Sequence, residues 1–262
     1  MNDQPPARRA EYPVDVGAYQ AWLFDLDGVL TQTATVHAAA WKQAFDAFLA
    51  EEGARSRRTF APFNEVTDYE QYVDGEPRAD GVRNFLTARG ITLPEGDDDD
   101  PEDARTVQGV GNRKNALVLD LMKSTGVAVY EGSIRLVKTL RARGIRLAVV
   151  SASENTAAAL VAAGIADLFD ARIDGQVVKQ RHLAGKPAPD SYLEGAKALG
   201  VEAGDAVVIE DALAGVEAGR AGHFGLVIGV NRHDYADQLL AHGADIVVAD
   251  LAELLDKDVT TG

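Results

Sequence analysis

The run Trp22-Leu23-Phe24-Asp25-Leu26-Asp27-Gly28-Val29-Leu30 passes from apolar residues into two aspartates separated by Leu26, and then into glycine. Side chains alternate along an extended strand, so Asp25 and Asp27 share one face if the extended conformation persists. At the C-terminal end of a strand the pair stands where open α/β sheets bind their ligands. Glycine at 28 lets the backbone turn sharply there. Two carboxylates in a small space suit a hard cation such as Mg²⁺, which takes oxygen ligands. From this run alone the alternative is a strand followed by an acidic Asp-Gly turn.

The rest of the chain narrows the choice. Its 262 residues, 46% of them hydrophobic, can build a sizeable core in one large domain or two smaller ones. There is no cysteine, so disulfides and thiolate metal sites are excluded. No apolar run reaches the length of about eighteen residues that a membrane helix needs. Residues 1–10 are polar and lack the apolar stretch of a signal peptide, so a cytoplasmic protein with no membrane partner is expected. A formal charge of −15 argues against a nucleic-acid partner. It also means that local cations must overcome the global field at any site for an anionic substrate.

Residues 1–18 read as a polar tail, and 20–25 as a buried strand. From Val36 to Glu52 the spacing of Ala40, Trp41, Ala44, Phe45, Phe48 and Leu49 is helical. Residues 53–128 are helical or loop-like, and Asp97-Asp98-Asp99-Asp100 within them reads as a solvated loop. Beyond Tyr130, helices at 133–143, 154–163, 189–199 and 213–221 alternate with strands at 145–150, 168–173, 206–209, 225–230 and 245–248, before a short terminal helix. Gly144, Gly164, Gly200 and Gly222 stand just past the four helices as stop signals. This alternation predicts a parallel sheet covered on both faces. The strand at 20–25 is expected to fold back into that sheet, leaving the intervening helical region as an insertion.

In a parallel sheet the residues after each strand gather along one edge. After 145–150 come Ser151, Ala152, Ser153, Glu154 and Asn155, a hydroxyl-rich stretch that fits either phosphate binding or an ordinary helix N-cap. Lys186 precedes Pro187-Ala188-Pro189, a stiff frame that can fix a point charge on phosphate, or simply carry a surface lysine. After 206–209 come Glu210 and Asp211, either N-capping residues or the remainder of a metal site. Each signal is weak by itself; their order, and their common place at strand ends, is not.

Asp-x-Asp-Gly, Ser, Lys-Pro and Glu-Asp in this order resemble the four motifs of the haloacid dehalogenase superfamily. The resemblance implies a Rossmann-like α/β core at 19–32 and 129–262, and a small inserted α-helical cap domain at 33–128. It also implies that Asp25 is a nucleophile forming an aspartyl-phosphate and Asp27 the general acid/base. Ser151, Ala152 and Lys186 would hold the transferring phosphoryl group. Asp25, Glu210, Asp211 and the backbone carbonyl of Asp27 would hold Mg²⁺. Within the superfamily the chain looks like the β-phosphoglucomutase family. Thr33 and His37 stand at that family's hinge spacing, with Trp41 one helical turn later, and Gly75-Glu76-Pro77-Arg78-Ala79-Asp80 resembles its phosphate-binding cap loop. Arg113-Lys114-Asn115 resembles the segment whose lysine faces the active site, and Ser151-Ala152-Ser153-Glu154-Asn155 its Ser-Ala-Ser-x-Asn loop. Arg78 is the cap cation the resemblance selects, with Arg83 as competitor. Departures are Glu154 where a lysine often occurs, Glu131 in place of a proline, and an apparent insertion at Glu95–Asp103. The implied activity is interconversion of β-D-glucose 1-phosphate and glucose 6-phosphate by a monomer; a sugar-phosphate phosphatase with the same chemistry is the alternative.

Overall fold

The apolar run at 20–25 folds as strand β1 (Ala21–Phe24), whose four residues are all fully buried. The computed structural model describes residues 15, 17–73, 77–232 and 234–255, so most of the polar tail lies outside the described residues. Five further strands follow: β2 (Arg146–Val150), β3 (Ala171–Ile173), β4 (Ala206–Glu210), β5 (Leu226–Val230) and β6 (Ile246–Val248). They pair in parallel, in the order β3-β2-β1-β4-β5-β6. β1 is therefore central, with Phe24 in register with Val149 of β2 and Ile209 of β4. The chain runs outward from β1 to β3 and then returns to β4, so its direction reverses between β1 and β4. Such a reversal opens a crevice at the C-terminal ends of the two strands.

The α/β expectation is met by the helices as well. The chain divides into two compact units, residues 1–32 with 127–262 and residues 33–126. The second unit contains α1 (Thr33–Ser56), α2 (Thr67–Tyr72), α3 (Arg78–Ala88) and α4 (Val107–Thr125). The first carries α5 (Glu131–Ala142), α6 (Thr156–Ala162), α7 (Gly175–Arg181), α8 (Asp190–Leu199), α9 (Leu213–Ala221) and α10 (Ala236–Ala241). Ala21 and Leu23 join Ala148, Val150, Tyr192, Val208 and Val216 in one buried cluster. By alternation Trp22 and Phe24 point the other way, their ring centroids 6.4 Å apart. Burial on both faces explains why these strands read as continuous apolar runs.

The helical unit has its own aromatic core. Phe45 of α1 packs 4.1 Å from Phe85 of α3 and 5.3 Å from Phe63, between centroids. The predicted helix at 36–52 is longer at both ends, running from Thr33 to Ser56, because its polar ends carry no apolar period. The four-aspartate loop is tied down rather than merely solvated. Asp100 accepts from Thr106 Oγ1 at 2.6 Å, and Thr106 in turn caps α4 by accepting from Gly109 N at 3.0 Å.

Several boundaries move for local reasons. α6 begins at Thr156 instead of 154, because Ser153 O accepts from Thr156 Oγ1 at 2.8 Å and from Gly175 N at 3.0 Å, which holds 153–155 as a loop. Only 171–173 of the expected 168–173 strand pairs, since Ala166–Leu168 form a 3₁₀ turn. The terminal helix is a 3₁₀ turn, Leu251–Leu254, closed by an Asp250–Glu253 capping box. α7 and α10 are additional helices, seven and six residues long. Gly144, Gly164 and Gly200 adopt positive φ, but Gly222 has φ −78 and the left-handed residue is His223. Glycine is needed at 222 for space, since a Cβ there would lie 2.8 Å from the Phe224 ring. Among the described residues no helix is long and apolar enough to cross a membrane.

Candidate active site

β1 ends at Phe24, and Asp25 is placed immediately beyond it, its N–H donating to Ile209 O of β4 at 3.0 Å. The extended conformation does not persist. Leu30 N and Thr31 N both donate to Leu26 O at 2.9 Å, and Gly28 N donates to Thr31 O at 2.9 Å, closing a tight turn. Asp27 is therefore oriented by this turn and not by the pleat of a strand. Gly28 has φ +81, and a Cβ on it would lie 1.9 Å from Asp211 Oδ2. Only glycine fits there. The loop is further held by α5, where buried Ser133 donates to Val29 O at 2.7 Å; no local pattern marks that serine.

Glu210 is the last residue of β4 and is almost completely buried. Its Oε2 accepts from Asp211 N and Ala212 N, each at 3.1 Å. Its Oε1 accepts from Tyr192 OH at 3.0 Å and from Lys186 Nζ. Lys186 is thus no surface lysine. Its ammonium also donates to Asp25 Oδ1 at 2.6 Å and lies 4.9 Å from the centroid of the Tyr192 ring. Tyr192 is a residue that sequence reading did not single out.

Carboxylate oxygens of Asp25, Glu210 and Asp211 lie within 4.8 Å of one another. Burial, with the nearby charges of Glu210 and Asp27, pushes the Asp25 carboxyl up to about 8 despite Lys186. Burial, Glu210 and Asp25 push Asp211 up to about 9. Burial alone would lower the Lys186 ammonium, but Asp25 and Glu210 outweigh it and hold it well above its ordinary value. One lysine does not balance this many crowded acids. The donor set fits an oxygen-seeking divalent cation, which Asp25, Glu210 and Asp211 can hold. The Asp27 side chain is not part of that trio.

Ser151 closes β2, donating its N–H to Ile173 O at 2.9 Å. It is not an N-cap: Asn155 holds that position on α6 and makes no side-chain cap bond. Instead Ser151 Oγ accepts from Ser153 N at 3.1 Å, and Ser153 Oγ from Asn155 N at 3.2 Å, a pair of hydroxyl-stabilised turns. Ser151, Ala152 and Lys186 line one cavity of about 360 Å³ together with Glu154, His182 and Ser191.

The remaining candidates belong to the helical unit. Thr33 starts α1 and is fully buried. Lys114 Nζ meets His37 Nδ1 at 2.8 Å and lies 4.8 Å from the centroid of the Trp41 ring. An ammonium can only donate, so Nδ1 accepts and the ring proton sits on Nε2. Burial, and then the Lys114 charge, push His37 down to about 3, so it is neutral. Arg83 pairs with Asp80 and with Glu95 at 3.1 Å. Half-buried Arg78 opens α3 and lies along α4 at Gly111, without a carboxylate partner among the described residues. Gly75 and Glu76 of the same motif lie outside the described residues.

Residues 19–223 match the haloacid dehalogenase-like hydrolase family. A β-phosphoglucomutase from Mycobacterium tuberculosis is 51% identical over 239 residues, covering 90% of this chain and 91% of that protein. The crystal structure of a haloacid dehalogenase family hydrolase from Deinococcus radiodurans, with bound phosphate and sodium, is 31% identical and superposes with a TM-score of 0.64, over 90% of this chain and 93% of the other. A β-phosphoglucomutase structure from Clostridium difficile shares the fold with a TM-score of 0.65 at 23% identity, over 91% of this chain and 96% of that one. With the motif residues gathered at the β1–β4 crevice and a close relative along nearly its whole length, the chain belongs to the haloacid dehalogenase superfamily and is an enzyme of its β-phosphoglucomutase-like family.

Proposed function

We propose that this enzyme interconverts β-D-glucose 1-phosphate and glucose 6-phosphate through a phosphorylated Asp25 and β-glucose 1,6-bisphosphate. The observation that carries the reading is the shared use of Lys186 by Asp25 and Glu210, beside the Asp25–Glu210–Asp211 trio. The 51% identity to a named β-phosphoglucomutase supports the choice of sugar.

The 6-hydroxyl of β-glucose 1-phosphate attacks phosphorus on phospho-Asp25, and Asp27 takes its proton. The Asp25–phosphorus bond breaks, which gives the bisphosphate and free Asp25. After the bisphosphate reorients, Asp25 attacks the phosphorus of the 1-phosphate while Asp27 returns the proton to the leaving anomeric oxygen. Glucose 6-phosphate leaves and phospho-Asp25 is restored. Splitting the transfer through a carboxylate makes each half easier, and one acid/base serves both. Lys186 offsets charge on the transferred oxygens, and Ser151 with the Ala152 N–H orients them. Asp25, Glu210, Asp211 and the carbonyl of Asp27 hold Mg²⁺, which when bound supplies further positive charge against these acids and the phosphoryl group. Arg78 is assigned to the second phosphate, and Thr33, His37, Lys114, Ser153 and Asn155 to the substrate. The enzyme is read as a cytoplasmic monomer.

The experiment is an assay of purified protein with β-glucose 1-phosphate, Mg²⁺ and a bisphosphate primer. Glucose 6-phosphate should accumulate with little free phosphate. Phosphate release faster than glucose 6-phosphate formation overturns the mutase reading in favour of a sugar-phosphate phosphatase, the reading that the hydrolase description of the matching family favours.

A further inference from the structure

The loop after β5 reaches the main-chain carbonyls of both acid-bearing loops. Arg232 Nε donates to Gly28 O at 2.6 Å, on the turn that orients Asp27. Tyr235 OH donates to Asp211 O at 3.2 Å. Asn231 Oδ1 accepts from Tyr235 N at 3.0 Å and so ties the two ends of the loop together. The Arg232 guanidinium lies 3.6 Å from the centroid of the Tyr130 ring, and Nη1 donates to Ala249 O at 3.2 Å. Tyr130 N itself donates to Leu30 O at 3.0 Å, at the far end of the Asp27 turn.

Arg232 Nη2 is enclosed without a hydrogen-bond partner among the described residues. An enclosed, unpaired donor weakens folding, and an apolar chain of equal length would fill the space without that cost. What the guanidinium supplies and an apolar chain cannot is a pair of charge-assisted bonds, to the Gly28 and Ala249 carbonyls, made in a fixed orientation over an aromatic ring. Gly28 in turn sits directly against the Asp211 carboxylate. A shift of either carbonyl therefore moves Asp27 and Asp211 relative to each other.

We infer that Arg232 and Tyr235 are positioning residues that hold the Asp27 turn and the Asp211 loop in register, an inference that rests on the roles proposed for those acids. Groups that orient metal ligands change metal affinity or activity by about 10–100-fold when removed. The test compares Arg232→Ala, Arg232→Lys and Tyr235→Phe with Asp25→Asn in the whole enzyme. It reads kcat and KM for β-glucose 1-phosphate, and Mg²⁺ affinity by calorimetry without substrate. Arg232→Ala should lower kcat about 10–100-fold with KM nearly constant, and added guanidinium should restore part of it. Tyr235→Phe should weaken Mg²⁺ binding about 10-fold. If Arg232→Ala fails to fold, Arg232→Lys and Tyr235→Phe decide by the same two readouts. Wild-type kcat and Mg²⁺ affinity in the folded variants, with Asp25→Asn inactive, overturn the inference. Turnover by Asp25→Asn overturns the proposed chemistry instead.

Discussion

Lys186 Nζ lies 2.6 Å from Asp25 Oδ1 across 161 residues of sequence, and the same ammonium donates to Glu210. One cation thus serves two buried acids, Asp25 just past β1 and Glu210 at the end of β4. Removing it leaves the Glu210 carboxylate with no cation and Asp25 without its donor, and breaking a buried pair from one side costs up to about 3–5 kcal/mol. Lys186→Met should therefore lower the denaturation midpoint in chelator, and turnover should fall by at least about 10²-fold. Denaturant titration and steady-state assays check the two effects separately. A variant that keeps full turnover contradicts the charge-offsetting role.

The raised carboxyls at Asp25 and Asp211 make a pH prediction with a definite sign. They lie at about 8 and about 9 in the metal-free protein, against about 3.9 for an exposed aspartate. Between those values the native state keeps protons that the unfolded chain has released, so stability falls as pH rises. In chelator, the thermal midpoint should drop from pH 5 to pH 8. Mg²⁺ needs the deprotonated acids, so its binding should release protons and flatten that slope. Calorimetry in buffers of different ionisation enthalpy measures the release; heats independent of buffer contradict it.

His37 carries the opposite sign. Burial and Lys114 hold it down to about 3, while the unfolded side chain titrates near 6.5. As pH falls below about 6.5 the unfolded chain gains a proton that the native state refuses, and stability is lost. His37→Gln should have a shallower loss between pH 6.5 and 4 than the parent enzyme. Denaturation midpoints across that range check it, and parallel profiles count against a neutral, half-buried His37.

Arg78 and Arg83 are five residues apart, yet their charges are differently committed. Arg83 is taken up by Asp80 and Glu95, whereas Arg78 has no carboxylate partner among the described residues. Arg78→Ala should lower mutase kcat/KM by about 10²-fold, in keeping with loss of a charge-assisted contact to a buried anion. Arg83→Ala should change it by less than about threefold, since exposed ion pairs contribute little. Comparable losses in both variants would remove the assignment. Hydrolysis of a small monophosphate that survives Arg78→Ala would point to the phosphatase reading.

Asp25, Ser151 and Glu210-Asp211 are legible in the sequence because each is polar where an apolar strand stops, and parallel strands bring their ends to one edge; Lys186 follows α7 instead of a strand, and is legible only through the stiff Pro187-Ala188-Pro189 frame after it. Strand and helix alternation, with glycines at most helix ends, makes the α/β core legible in the same way, since both signals are local. α7 and α10, at seven and six residues, are too short for a helical period to emerge. Tertiary structure alone decides the partners. Tyr192 reaches Glu210 from 18 residues away, Ser133 reaches Val29 from 104, and Arg232 reaches Gly28 from 204. Nothing beside these residues in the chain marks them, because a hydrogen bond is specified by two groups and sequence proximity supplies only one. The same holds for charge. That the site needs acids is written in the motifs, but which cation answers them, and which arginine stays uncommitted, depends on where the folded chain places its carboxylates.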